Sequence, residues 1–281
     1  MKSYMLIICS IFVVHTSQAQ KVWINLYGGA TNYQGDLQDK RYTFDQAHAA
    51  GGLGINYDLN DRLSVRAALT AGKLSADDKY GRNSVRNLNF TSNLTEAQLG
   101  LQYNITPMGE HALTPYVFAG FAIYRFNPYT HDSSGSKYYL RDLSTEGQGF
   151  IEGKKYYNLT ALSIPMGGGV KLSLSDNINV GLEVGIRKLF TDYIDDVSTA
   201  YVDKNELILN RGAKAAELAY RGNALKNGPP YPAGGTLRGS KLKDWYYLTA
   251  LTISFRLPSR DGSGSGFGGR KSQFACPVNV R

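Results

Sequence analysis

Past residue 20 the chain has no apolar run approaching the ~20 residues that a membrane-spanning helix requires. That lack excludes helical membrane proteins but leaves barrels untouched, because alternating strands average out in any hydropathy window. Cysteine is nearly missing, with only Cys9 and Cys276 among 281 residues. Histidine is scarce as well; beyond the N-terminal segment there are His48, His111 and His131. No GxSxG, HExxH or CxxC occurs, so a nucleophile elbow, a zinc-protease helix and a redox dithiol all lack their signatures. The run IPMGGG at 164–169 has glycines but no following helix or Lys-Ser/Thr pair, which argues against a phosphate cradle. No enzyme is expected, and no cofactor or metal is implied. Charged residues form only 19% of the chain, and a formal charge of +8 spread among 20 Tyr and 31 Gly does not resemble a nucleic-acid-binding face.

What is present is tyrosine, glycine and alternation, the mark of many extended strands with tight turns. The N-terminus reads as a signal peptide: Lys2, an apolar stretch from Met5 to Val14, and Ser17-Gln18-Ala19 before a cleavage site. Cys9 sits inside the apolar stretch, too early for a lipobox. Cleavage after Ala19 leaves Cys276 as the only cysteine, which excludes an internal disulfide. The expected organisation is a signal peptide at 1–19, a barrel at 20–257, and a linker with a C-terminal segment at 258–281.

Alternation is clearest in INVGLEVGIR, 178–187. Ile178, Val180, Leu182, Val184 and Ile186 share one face; Asn179, Gly181, Glu183, Gly185 and Arg187 share the other. The same pattern predicts strands near 21–28, 47–58, 62–74, 88–105, 114–126, 157–174, 177–190 and 244–256. The strand at 114–126 is aromatic on both faces, and its orientation stays open. Connections alternate between short (58–61, 106–113, 175–177) and long (28–46, 75–87, 127–156, 191–243). An eight-stranded antiparallel up-and-down transmembrane β-barrel produces that alternation, with short periplasmic turns, long extracellular loops and both termini periplasmic. The final strand, DWYYLTALTISF, ends on an aromatic residue, as barrel-assembly signals do. Tyr27, Tyr57, Tyr103, Tyr116, Trp245 and Tyr247 near strand ends are candidates for interfacial girdles.

The register places Arg66, Glu96, Lys171, Glu183 and Arg187 inside the barrel. Three cations and two anions in a narrow lumen must pair, since an isolated buried charge is costly. A structural charge network is the expectation, ahead of a proton or ion path. In the loops, Asp77-Asp78 and Asp192, Asp195, Asp196 lack the ligand periodicity of a calcium loop and read as solvated charge. Residues 203–221 have partly helical spacing broken at Gly212. The three glycines at 167–169 read as relief of crowding in a curved strand. Beyond Pro258 a Gly/Ser-rich linker leads to Phe274, Cys276 and Val278, a candidate partner-binding segment with an intermolecular disulfide available through Cys276 in an oxidising compartment.

Several segments resemble a known family. They are GGATNYQGDLQ (28–38), KLSADDKYGRN (73–83), RNLNFTSNLTEAQLGLQYN (86–104) and TPYVFAGFAIYRFNP (114–128). The matching residues are Gly28, Gly29, Asn32, Tyr33, Gly35 and Asp36; Asp77-Asp78; Arg86, Leu88, Phe90 and Glu96; and Thr114, Pro115, Tyr116, Phe118 and Gly120. The chain is similar there to the Bacteroidota outer-membrane β-barrel family that includes the type IX secretion system protein PorG. The resemblance implies a non-enzymatic barrel that anchors the periplasmic PorK/PorN ring to the outer membrane. It covers about 25–190 and the closing strand.

Four roles follow as expectations to be separated. They are a structural anchor for a secretion machine, a surface barrel whose loops bind an external ligand, a narrow channel, and an accessory subunit of another outer-membrane complex such as barrel assembly. The expected partners are a periplasmic or outer-membrane protein complex and the lipid bilayer, and no nucleic acid.

Overall fold

Alternating strands with small or polar residues on one face and Leu, Ile and Val on the other suit a sheet that curls on itself. The computed structural model, which describes residues 21–108, 111–240 and 243–258, has such a sheet. Its strands are β1 (Val22–Gln34), β2 (His48–Asp58), β3 (Leu63–Asp77), β4 (Asn89–Asn104), β5 (Leu113–His131), β6 (Lys137–Tyr139), β7 (Thr160–Ser175), β8 (Ile178–Leu189) and β9 (Trp245–Arg256). β6 is a three-residue strand paired only with the end of β5. The other eight run in chain order, each antiparallel to its neighbours, and β1 pairs with β9 to close the ring. The fold is a closed eight-stranded antiparallel barrel. The expected signal peptide and the segment carrying Phe274, Cys276 and Val278 lie outside the described residues.

Short connections sit at one end (59–62, 105–112, 176–177) and long ones at the other (35–47, 78–88, 132–159, 190–244). Three strands overrun their expected limits, all towards the long-loop end: β1 to Gln34, β3 to Asp77 and β5 to His131. The reason is packing. Tyr33, Leu74, Phe90, Phe126, Leu189 and Tyr246 from the strands form one buried cluster with Leu37, Leu88, Leu140, Tyr157, Ile194 and Val197 from the loops. Each such burial contributes roughly 1.5–3 kcal/mol, so the loops hold the strand ends in register.

The outer wall is apolar: Leu69, Leu99, Phe121 and Leu251 are 62, 61, 74 and 68% exposed. β5, ambiguous from sequence, turns Tyr116, Phe118, Tyr124 and Phe126 inward and Val117, Phe121 and Ile123 outward. Two girdle candidates are corrected here, because Tyr27 and Tyr116 are buried inside the lumen. The glycines of β7 make room for these rings. A Cβ at Gly167 would stand 2.9 Å from the Phe118 ring, and one at Gly169 would stand 2.7 Å from the Tyr116 ring.

The long-loop end carries helices α1 (Leu140–Leu143), α2 (Lys204–Arg211) and α3 (Ala213–Ala219). Asp203 caps α2 by accepting the Asn205 and Glu206 amides. Gly212, at φ +87°, separates α2 from α3. Val202, Leu207, Ala215, Ala216 and Ala219 form a second buried cluster. The four loops thus make a lid with its own core.

Candidate functional site

Inside the barrel, the strand register brings the lumen residues together as two closed pairs. Arg66 donates to both oxygens of Glu183 at 3.0 Å, Tyr116 donates to Glu183 at 2.8 Å, and the Arg66 guanidinium lies 4.0 Å from the Phe118 ring centroid. Arg187 donates to Glu96 at 3.1 and 3.3 Å, and the Tyr246 hydroxyl also donates to Glu96. Lys171 has no carboxylate partner among the described residues; its ammonium lies 4.8 Å from the Tyr116 ring centroid. The third anion is one that sequence reasoning assigned to a turn. Asp58, the last residue of β2, is buried and accepts from Trp23 Nε1 at 2.9 Å and Ser64 Oγ at 2.6 Å. Its inward parity with Asn56 was the available signal. Below the charged layer, Asn25, Asn56, Gln102 and Asn104 are linked by hydrogen bonds of 2.9–3.0 Å. These side chains fill the bore, as expected of so narrow a barrel.

The lid is built around acids that the loops bury, a correction to the reading of Asp78, Asp192, Asp195 and Asp196 as solvated charge. Each is held separately. Arg86 makes two 2.7 Å hydrogen bonds to Asp78 and donates to the carbonyls of Asp36 and Arg238. Arg238 donates to Glu146 at 3.2 Å, to Thr145 Oγ1 at 3.1 Å and to the Asp196 carbonyl. Glu146 also accepts the Ser198 and Thr199 amides at 2.9 and 3.1 Å. Burial pushes the Asp196 carboxyl up to about 6 against the opposing pull of Arg238, and burial likewise brings Asp192 to about 6.

The motif Asn-Tyr-x-Gly-Asp at the end of β1 grips both roots of the fourth loop. The Tyr33 hydroxyl lies 2.7 Å from Asp195 Oδ2 and 2.8 Å from Asp244 Oδ1, and it accepts the Asp36 amide at 3.0 Å. Asp36 accepts the Ser240 amide at 2.8 Å. Gly35 is required by this arrangement, since a Cβ there would stand 2.0 Å from both Asp244 Oδ1 and the Tyr33 hydroxyl. Burial, reinforced by Asp36, raises Asp195 well above the carboxylate range; burial, reinforced by Asp195, does the same for Asp244. Glu146, Arg238 and Asp244 carried no periodic or motif signal, because their partners are remote in sequence.

The histidines do not converge. His48 bonds Ser75 Oγ at 2.6 Å, and His131 packs on Tyr129, both at the lid end. His111 lines a 290 Å³ recess at the short-turn end with Lys21, Trp23, Asp176 and Arg256. Among the described residues no cluster of three metal-ligating side chains forms.

Solved structures similar to this one include outer-membrane barrels. Ail of Yersinia pestis is 9% identical over 85% of this chain and 99% of its own, with a TM-score of 0.41. The neisserial surface protein NspA is 9% identical over 86% of this chain and 100% of its own, TM-score 0.41. A major outer membrane protein from Thermus thermophilus is 12% identical over 85% of this chain and 100% of its own, TM-score 0.40. No curated protein matches the sequence. A family model described as a domain of unknown function, DUF6089, matches residues 2–210. That is more than half of the chain, which therefore belongs to the DUF6089 family.

Proposed function

We propose that this protein is a non-catalytic outer-membrane barrel that acts through its ends, as a structural anchor or accessory subunit of a secretion machine of the type IX kind. The sealed bore carries this reading. Arg66 is paired with Glu183 and Arg187 with Glu96. Lys171, the lumen cation without a carboxylate partner among the described residues, is buried against the Tyr116 ring, which supports a filling role ahead of conduction or acid–base chemistry. The apolar outer wall suits a lipid bilayer, and in this reading the short turns face the periplasm, at the end of the barrel where β9 finishes at Arg256. There Phe274, Cys276 and Val278 are the proposed contacts to a periplasmic assembly such as the PorK/PorN ring, with an intermolecular disulfide through Cys276. The type IX assignment draws on the sequence resemblance at 28–38, 73–83, 86–104 and 114–128. Pull-down of the ring lipoprotein with full-length protein, but not with protein lacking 258–281, is the expected result. Equal recovery from both would remove the tail from the mechanism. Mass spectrometry of copurifying proteins separates secretion from barrel assembly as the host machine.

A second reading, a surface barrel for an external ligand, has one observation in its favour. The lid exposes Phe44, Leu209 and Leu237 at 88, 85 and 75%. Serine at these three positions would then abolish binding to the external surface while cargo secretion continues.

A further inference from the structure

One hydroxyl between two carboxylates poses a question of proton count. Tyr33 has a single proton, yet its oxygen is within hydrogen-bond distance of Asp195 and Asp244, at 2.7 and 2.8 Å. The Tyr33 proton satisfies one contact. The other is a hydrogen bond only if an aspartate carries a proton and donates it to the tyrosine oxygen; otherwise two lone-pair-bearing oxygens are held together without one. Asp195 and Asp244 are 1 and 0% exposed, so water cannot relieve the contact.

The surrounding charges add no countercharge at this point. The first loop contributes Asp36, and the second contributes Asp78 and Arg86, which are paired with each other. The third loop contributes Glu146, paired with Arg238 of the fourth; Asp196 lies on the same arginine. Asp192 accepts from Ser198, and Lys243 stands exposed at the loop's far root. From the barrel come the Tyr124 hydroxyl and the Glu96–Arg187 pair. Every nearby guanidinium is committed to another carboxylate.

We propose that Tyr33, Asp195 and Asp244 form a proton-holding latch, in which closing the lid on the barrel takes up one proton shared between the two aspartates. The three residues join the end of β1 to both roots of the fourth loop, so the proton is bound only when those segments meet. An opened lid exposes ordinary aspartates that release it. The sign follows from linkage: a carboxyl raised by closure stabilises the closed state at low pH, and this contribution is lost as pH rises towards the raised value. Between the ordinary aspartate range and that value, one proton changes the closing equilibrium about tenfold per pH unit. This latch does not depend on the secretion reading.

The test is hydrogen exchange of lid amides in the folded, detergent-solubilised full chain, corrected for the intrinsic rate, from pH 6.5 to 8.5. Burial brings Asp192 and Asp196 to about 6, near the foot of that window, and the asparagine variants separate their titration from that of the latch. Wild-type protection is expected to fall about tenfold per pH unit. Asp244→Asn or Asp195→Asn, which mimics the protonated carboxyl without titrating, is expected to flatten the slope and keep the lid closed at pH 8.5. Tyr33→Phe is expected to lower protection throughout the range while β-strand amides stay protected. A flat wild-type profile overturns the latch, and so does a slope that survives in both asparagine variants.

Discussion

Replacing Arg238 by alanine removes a guanidinium that faces two buried carboxylates in the lid. Its side chain is 1% exposed, and Glu146 and Asp196 opposite it are 0% exposed. Breaking a buried ion pair from one side costs about 3–5 kcal/mol. The lower end applies here, because Glu146 keeps its hydrogen bonds from Ser198 and Thr199, and Asp196 keeps those from Thr145 and Tyr157. About 3 kcal/mol raises the fraction of open lid on the order of a hundredfold. The barrel strands make none of these contacts, so loss should be confined to the long loops. Hydrogen exchange at pH 7.5 should show deprotection of 140–157 and 193–220, with β3, β4 and β8 unchanged. The defect should shrink at acid pH. Burial already holds Asp196 near 6 with Arg238 present, so without that cation its carboxyl rises further and neutralises first. Adding Glu146→Gln to Arg238→Met should recover most of the protection. Wild-type exchange in Arg238→Ala, or no recovery in the double variant, would refute the assignment of lid stability to this cluster.

Other expectations follow from the same geometry. Arg66→Ala leaves Glu183 uncompensated in the lumen and should cost about 3–5 kcal/mol of barrel stability, read as a lower midpoint in urea unfolding into lipid vesicles. Phe121→Lys, on the outer wall, should destabilise the inserted barrel by about 2–4 kcal/mol if that residue lies near the bilayer midplane, with little effect expected from Phe44→Lys in the first loop. Gly35→Ala should disrupt the lid without unfolding the barrel, since its Cβ would overlap Asp244 and Tyr33; proteolysis within 190–244 but not within β1–β5 would show it. Planar bilayers containing the wild-type protein should be silent, and single-channel steps would contradict a sealed bore.

The sequence revealed the barrel because β3, β4 and β8 contrast Leu, Val and Ile with Ser, Arg, Gln and Glu at every second position. It did not orient β5, because a narrow barrel stores aromatic rings inside as well as out, and Tyr116 and Val117 then read alike. The lumen pairs were legible in membership but not in partnership: Arg66 and Glu183 are 117 residues apart. The two short helices of the fourth loop were legible at 203–221, with their break at Gly212, but the buried acids of the lid were not. Long acidic loops ordinarily read as solvated, and only the tertiary fold brings Arg86 to Asp78 or Arg238 to Glu146. The apolar residues interleaved with the acids, Ile194, Val197, Tyr201 and Val202, were the signal that this loop had a core of its own. Even the family-like motif hid its purpose, since Gly35 and Asp36 act on residues around 240.

The Tyr33–Asp244 contact spans 211 residues, and it sits at the seam where β1 meets β9. Neither root of the fourth loop has its docking site until the last strand has paired with the first. Contacts of such separation form late, after the loop-closure entropy of the whole ring has been spent. A barrel stalled before its final strand would therefore carry an open, protease-sensitive lid. Lid protection becomes a reporter of completed insertion, and an assembly factor that released the barrel early would leave it unguarded.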